Sequence, residues 1–102
     1  MNKKWSPAEK KVARQIYDLA LANAQKEIVK RHFEKKISTM PDLWDYELEI
    51  REWRKHIRSI FQYTYSSLDY CFAICYREGW LKKSNLTGLS EDKIEYILRD
   101  WN

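Results

Sequence analysis

An all-α fold follows from three features of this 102-residue sequence. It holds only two glycines and two prolines, its long segments carry apolar residues at spacings of three and four, and capping signatures stand ahead of those segments. Turn-forming material is scarce, so elements must be long and connections few. The expected architecture is a long antiparallel helical hairpin over residues 1–60 with a small helical head over residues 61–102, one domain that dimerises through its long helices. The length excludes a second domain, because about 100 residues bury roughly two thirds of their unfolded surface around a single core.

The first helix opens at Ser6-Pro7-Ala8-Glu9. Ser6 caps free amides, Pro7 suits the first helical position, Glu9 completes a capping box, and Trp5 staples the entry. From there to about Ile37 nothing breaks a helix, and Val12, Ile16, Leu19, Ala20, Ala24, Ile28 and Phe33 form its apolar stripe. Such a helix is roughly 45 Å long at 1.5 Å per residue, whereas a compact globule of this size has a radius of gyration of about 13 Å. It overhangs its own domain, which predicts a second chain. Ser38-Thr39-Met40-Pro41-Asp42 ends it: Pro41 keeps Met40 out of the helical region, and Asp42 favours a new start.

In the second helix Leu43, Tyr46, Ile50, Trp53, Ile57 and Ile60 alternate by three and four, a seam that predicts packing along the first. The pattern falters over residues 62–67, and Leu68, Cys71, Phe72 and Cys75 then mark a third, more buried helix with Gly79 as its C-terminal cap. The segment 80–89 is expected to be a loop. Ser90, followed by Glu91 and Asp92, caps a last helix with the stripe Ile94, Ile97, Leu98 and Trp101.

Several functional classes are disfavoured by the same residues. No segment approaches the roughly 18 unbroken apolar residues of a membrane span, and no apolar run follows Lys3 and Lys4, so the expected location is the cytoplasm, without a membrane. Cys71 and Cys75 lie at i and i+4 in an apolar segment and read as small hydrophobes, ahead of a disulfide or a metal pair. No glycine-rich phosphate loop, zinc-binding histidine pair or nucleophile elbow is present, and no cofactor is expected; His32 and His56, in charged contexts, read as solvated. An enzyme is therefore not the expectation. One alternative keeps Arg14, Arg31, Lys35, Arg51 and Arg54 as a dicarboxylate clamp resembling chorismate mutase, although arginines on amphipathic helices more often form a solvated face.

The net charge of +4 is unevenly spread: residues 1–38 hold ten Lys or Arg against four acids, and residues 39–102 hold nine against eleven. Lys26, Lys30, Arg31, Lys35 and Lys36 could track phosphates. An antiparallel hairpin would set them beside Asp42, Asp45, Glu47, Glu49 and Glu52 and cancel most of that field, which makes nucleic acid an unlikely partner.

Taken together, Trp5-Ser6-Pro7-Ala8-Glu9, Asp42-Leu43-Trp44, Arg54, Phe72-Ala73, Arg77-Glu78-Gly79, Leu86, Leu89 and Asp92-Lys93-Ile94 resemble the fluorescence recovery protein family over almost the full length. The resemblance implies a homodimer that binds the C-terminal domain of photoactivated orange carotenoid protein, or another protein client, and speeds the return to the dark form without catalysis. Such acceleration needs no reactive group, only differential affinity along the conformational path that favours the structure on the way back over the starting state. Carried over residue by residue, it implies partner binding by Trp44, Arg54, Tyr70, Asp92 and Lys93, and a dimer interface of Leu43, Trp44, Glu47, Leu48, Ile50 and Arg51. Where the family typically has His-Asp after the tryptophan this chain has Glu47-Leu48, and Gln62 and Thr64 replace an acid and an arginine. Read from the residues alone, Trp44 fills the helix-helix seam ahead of direct partner contact, and Arg54 meets a partner carboxylate ahead of a solvated role.

Overall fold

The computed structural model describes residues 4–99 and folds them into α1 (Pro7–Phe33), α2 (Met40–Ile60), α3 (Leu68–Arg77), a 3-10 turn (Lys83–Leu86) and α4 (Glu91–Leu98). The start of α1 follows the sequence signature. The Glu9 N–H donates to Ser6 Oγ at 3.1 Å, the Ser6 N–H donates to the Glu9 carboxylate at 3.3 Å, and Pro7 fills the first position. The other end falls four residues short of the expected Ile37, and the reason lies in the next helix.

Thr39, not Asp42, is the cap of α2: its Oγ1 accepts the Asp42 N–H at 3.2 Å. The Asp42 carboxylate in return accepts the N–H groups of Ser38 and Thr39, each at 3.1 Å, and these bonds hold its pKa below the ordinary carboxylate value. Amides committed to capping α2 are lost to α1, so residues 34–39 form the connection. Met40 is already helical, against the expectation that Pro41 would exclude it. Within the first turn a proline removes no intrahelical hydrogen bond.

The hairpin is antiparallel. Tyr17 meets Phe61 edge-on at 5.5 Å, His32 meets Tyr46 at 4.9 Å, and Lys35 Nζ reaches the Glu49 carboxylate at 2.5 Å. Burial along the α2 seam is graded: Ile60 is buried, Ile57, Trp53, Ile50 and Tyr46 are half-buried, and Leu43 is exposed. On α1, Leu19 and Phe33 were expected on the apolar stripe and are exposed instead.

The core sits at one end, where Ala13, Ile16, Tyr17, Ala20 and Ala24 of α1 meet Leu68, Phe72 and Cys75 of α3, Leu86 of the 3-10 turn and Ile97 of α4. The head is therefore not the C-terminal segment alone, since it closes on α1 from its start as far as Glu27. Long-range hydrogen bonds tie it there: Trp5 Nε1–H donates to the Tyr65 carbonyl at 2.9 Å, and Asn23 Nδ2–H to the Trp80 carbonyl at 2.8 Å. Trp80 Nε1–H also donates to the Glu27 carboxylate, at 2.5 Å. Cys71 and Cys75 are free thiols buried in this core. Gly79 ends α3 with φ +85° as expected, a left-handed conformation that strains residues with a Cβ. Ser90 holds the cap position of α4 without capping through its hydroxyl, and Trp101 of the expected stripe lies outside the described residues.

The resulting shape measures 52 × 28 × 24 Å, with a radius of gyration of 16.3 Å against the roughly 13 Å of a compact chain of this length. The excess is the stalk. Among the described residues no helix is long and apolar enough to cross a membrane.

Candidate partner-binding surface

Because α1 and α2 bury each other chiefly near the head, the far end of the stalk is left with large apolar side chains in solvent. On α2 the positions 43, 44, 47, 48, 51 and 54 recur at spacings of three and four and so share one face. Every residue on it is exposed, including Leu43, Trp44 at 61% and Leu48 at 54%. Val29 and Phe33 of α1 are also exposed, Phe33 at 92%, as are Ile37 and Met40 in and beside the connection. Scattered surface leucines need no explanation, but one helix face that exposes Leu43, Trp44 and Leu48 together has the composition of an interaction site.

Of the residues expected at a dimer interface, Leu43, Trp44, Glu47, Leu48 and Arg51 lie on this outer face. Ile50 does not; it turns toward α1 and lines the groove between the helices with Leu21 and Ile57. Trp44 is likewise excluded from the intramolecular seam. Tyr46 and Trp53, whose register points inward, fill that seam instead.

Charge on the face is partly neutralised. Arg51 donates to the Glu47 carboxylate at 2.8 Å, an exposed i, i+4 pair worth only about 0.3–0.5 kcal/mol. Arg54, one turn on, has no ion-pair partner among the described residues. Arg54 lines a groove of about 490 Å³ together with Ile57 and Phe61. An unpaired guanidinium beside apolar walls suits bidentate recognition of a carboxylate.

The head residues divide. Tyr70 and Asp92 are exposed on α3 and α4. Lys93 is the correction: it is 4% exposed, and its Nζ donates to the Lys4 carbonyl at 2.7 Å and to both Glu9 carboxylate oxygens at 3.1 and 3.2 Å. The four-methylene stem cannot turn outward while those bonds stand, so Lys93 closes the head onto the start of α1. The structure does not gather the five expected partner residues into one patch; it sets Trp44 and Arg54 on the stalk and Tyr70 and Asp92 on the head.

The cations of the other two readings are spread among local acids. Arg14 pairs with Asp18 at 3.3 Å, Arg31 with Glu27 at 3.3 Å and Lys35 with Glu49. The Lys35–Glu49 pair sets an acid of α2 beside the basic cluster, as the charge pattern predicts, and the five candidate clamp residues do not converge on one cavity.

The family model described as photoprotection regulator fluorescence recovery protein matches residues 5–98. The chain belongs to the fluorescence recovery protein family. Among solved structures, the fluorescence recovery protein of Fremyella diplosiphon matches with a TM-score of 0.86 at 28% sequence identity, over 92% of this chain and 94% of that one. No curated protein matches the chain by sequence. Membership in the fluorescence recovery protein family makes this all-helical protein a photoprotection regulator in type, built on the stalk and head of the family.

Sequence reasoning missed one feature of the stalk. His32, read as solvated, packs edge-on against Tyr46 with its Nδ1 buried and without a hydrogen-bond partner. The signal was present: His32 follows Ile28 by four residues and so shares its inward face.

Proposed function

We propose that this protein is a homodimeric, non-enzymatic regulator that binds the C-terminal domain of photoactivated orange carotenoid protein and accelerates its return to the dark form. The observation that carries the reading is the exposed outer face of α2, where Trp44 and the unpaired Arg54 lie on the fold of the fluorescence recovery protein family. In this scheme Leu43, Trp44, Leu48 and the apolar end of α1 are covered by a second copy. Arg54 then meets a carboxylate of the partner, and the exposed Tyr70 and Asp92 of the head add to that contact. The protein works by binding one conformational state of its client better than the other, so no reactive group is required; to accelerate recovery it lowers the barrier by its preference for the structure on the way back.

The test is direct. Purified protein should accelerate dark recovery of photoactivated orange carotenoid protein in proportion to its concentration. Arg54→Leu should abolish the effect while leaving thermal unfolding and mass in solution unchanged. An exposed arginine contributes less than about 0.5 kcal/mol to stability, whereas losing one member of a buried interfacial charge pair costs about 2–5 kcal/mol of binding. A wild-type protein that neither binds nor accelerates overturns this reading and leaves the family likeness to the fold alone.

A further inference from the structure

Six aromatic rings form an unbroken row from the stalk into the head. The row runs Trp53, Trp80, Phe61, Tyr17, Tyr63, Tyr65, with successive ring centroids 6.2, 5.9, 5.5, 5.0 and 5.5 Å apart. It draws on α1, α2 and the segments that follow α2 and α3, so the periodicity of no single helix produces it. Packed rings are ordinary in a core. Packing alone does not account for the polar groups that accompany this row or for its arrival at the surface.

Those groups differ between the two indoles. Trp80 Nε1–H donates to the Glu27 carboxylate at 2.5 Å, whereas Trp53 Nε1 is buried without a hydrogen-bond partner and the Arg31 guanidinium lies over the Trp53 ring at 5.2 Å. Removal of an electron turns an indole N–H into a strong acid. Trp80 sheds that proton to Glu27. Trp53 has no acceptor for its proton, and the guanidinium over its face opposes a positive charge on the ring. An oxidised state shared by the pair therefore settles on Trp80. At the other end Tyr63 is hydrogen-bonded to Tyr65, and Tyr65 is 37% exposed, which gives a phenolic proton a way to water. At neutral pH a deprotonated tryptophanyl radical oxidises tyrosine, so the row runs downhill from Trp80 to this tyrosine pair.

We propose that the row is an internal electron-transfer path, which carries an oxidising equivalent from the stalk indoles through Trp80 to Tyr63 and Tyr65. A one-electron oxidant at the stalk takes an electron from Trp53. Trp53 regains it from Trp80, whose indole proton passes to Glu27. An electron then moves from the tyrosine pair to Trp80 by way of Tyr17, with the Phe61 ring as the bridge between them. Glu27 returns its proton to the indole, and the oxidised tyrosine releases its phenolic proton to water. A soluble reductant of the ascorbate class, by giving up one hydrogen atom, restores the phenol.

The experiment uses the full-length protein carrying a ruthenium tris(bipyridine) photosensitiser attached through Lys55→Cys, two positions from Trp53; the native Cys71 and Cys75 are buried. A flash in the presence of an irreversible cobalt quencher leaves the ruthenium centre as the one-electron oxidant. The visible absorption of a tryptophanyl radical should appear and convert to the near-ultraviolet absorption of a tyrosyl radical, at a rate independent of protein concentration. Combining Tyr17→Phe, Tyr63→Phe and Tyr65→Phe keeps every ring and should remove most of the tyrosyl signal. Glu27→Gln, which leaves the indole a partner but no base, should slow the conversion several-fold, and Tyr70→Phe, away from the row, should leave it unchanged. Thermal unfolding checks that each variant is folded; where the triple variant is not, Glu27→Gln decides. Absence of conversion in the labelled parent overturns the proposal. So does a rate that rises with protein concentration, or undiminished conversion in the folded triple variant or in Glu27→Gln.

Discussion

Glu9 ties together two segments that are far apart in sequence. Its carboxylate caps α1 through the Ser6 N–H, receives the Ser90 N–H at 2.9 Å and pairs with the buried Lys93 ammonium, so one residue joins the first and last helices. Burial opposes its ionised form, but the Ser90 amide, the Lys93 ammonium and the Ser6 amide together hold its pKa below the ordinary 4.5. A depressed folded-state pKa means that the unfolded chain takes up the proton first. The stabilisation is therefore complete above about pH 4.5 and is lost as the pH falls through the lower folded-state value. Lys93→Met, which strands the mostly buried carboxylate, should cost about 3 kcal/mol and lower the melting temperature by roughly 10 °C or more. It should also flatten the dependence of stability on pH in that acidic window. Calorimetry at neutral and acidic pH measures both effects. A Lys93→Met protein with wild-type stability and lost partner binding would instead return Lys93 to the partner surface. Gly88 is a second irreplaceable residue: its φ is +105°, and a Cβ built there meets Val12 Cγ2 at 2.8 Å. Gly88→Ala should destabilise by about 1–3 kcal/mol in chemical unfolding, and trimming the neighbour with Val12→Ala should recover the steric part while leaving the backbone strain.

Among the elements, α2 is the one whose two faces have different duties. Its inward seam was legible in the sequence because Tyr46, Ile50, Trp53, Ile57 and Ile60 keep a strict spacing, and the structure turns those residues toward α1. The outer face was legible only through resemblance. Trp44 is apolar, and nothing in its spacing says that it is left in water, since adjacent apolar positions on a helix are compatible with one broad buried stripe. The same ambiguity hid the exposure of Leu19 and Phe33 on α1. Capping boxes were legible at Ser6 with Glu9, whose spacing is unmistakable, but Thr39 with Asp42 was obscured by the intervening Pro41. The buried Lys93 could not be read at all, because its partner stands 84 positions away. The outer face predicts assembly. If a second copy covers Leu48, burying it contributes about 2 kcal/mol. Leu48→Asp, which would place a carboxylate in that contact, should raise the dimer dissociation constant by at least about tenfold. Sedimentation equilibrium at micromolar concentration measures this; a wild-type chain that sediments as a monomer would overturn the assignment of the face to a second copy.

At the scale of the whole molecule the packing is lopsided. The head carries the core, the stalk carries the apolar surface, and the two are joined by α1, whose contacts with the head run as far as Glu27 and whose exposed Val29 and Phe33 lie beyond them. This division lets a binding surface tolerate change without loss of fold: the Glu47-Leu48 pair lies on the stalk, far along α2 from the buried Ile60, while the residues that hold the head together are elsewhere. It also sets the order in which the chain becomes stable during synthesis. The ribosome delivers α1 first, yet the residues that bury its first half begin at Ile60, and the ion pair that locks its start waits for Lys93. At about 5–20 residues per second the nascent α1 spends several seconds with Ala13, Ile16, Tyr17 and Ala20 uncovered. A helix that must linger half-clothed is served by a surface dense in lysine and arginine, and the ten basic residues among the first 38 give the emerging segment the like-charge repulsion that keeps neighbouring chains apart until the head can close.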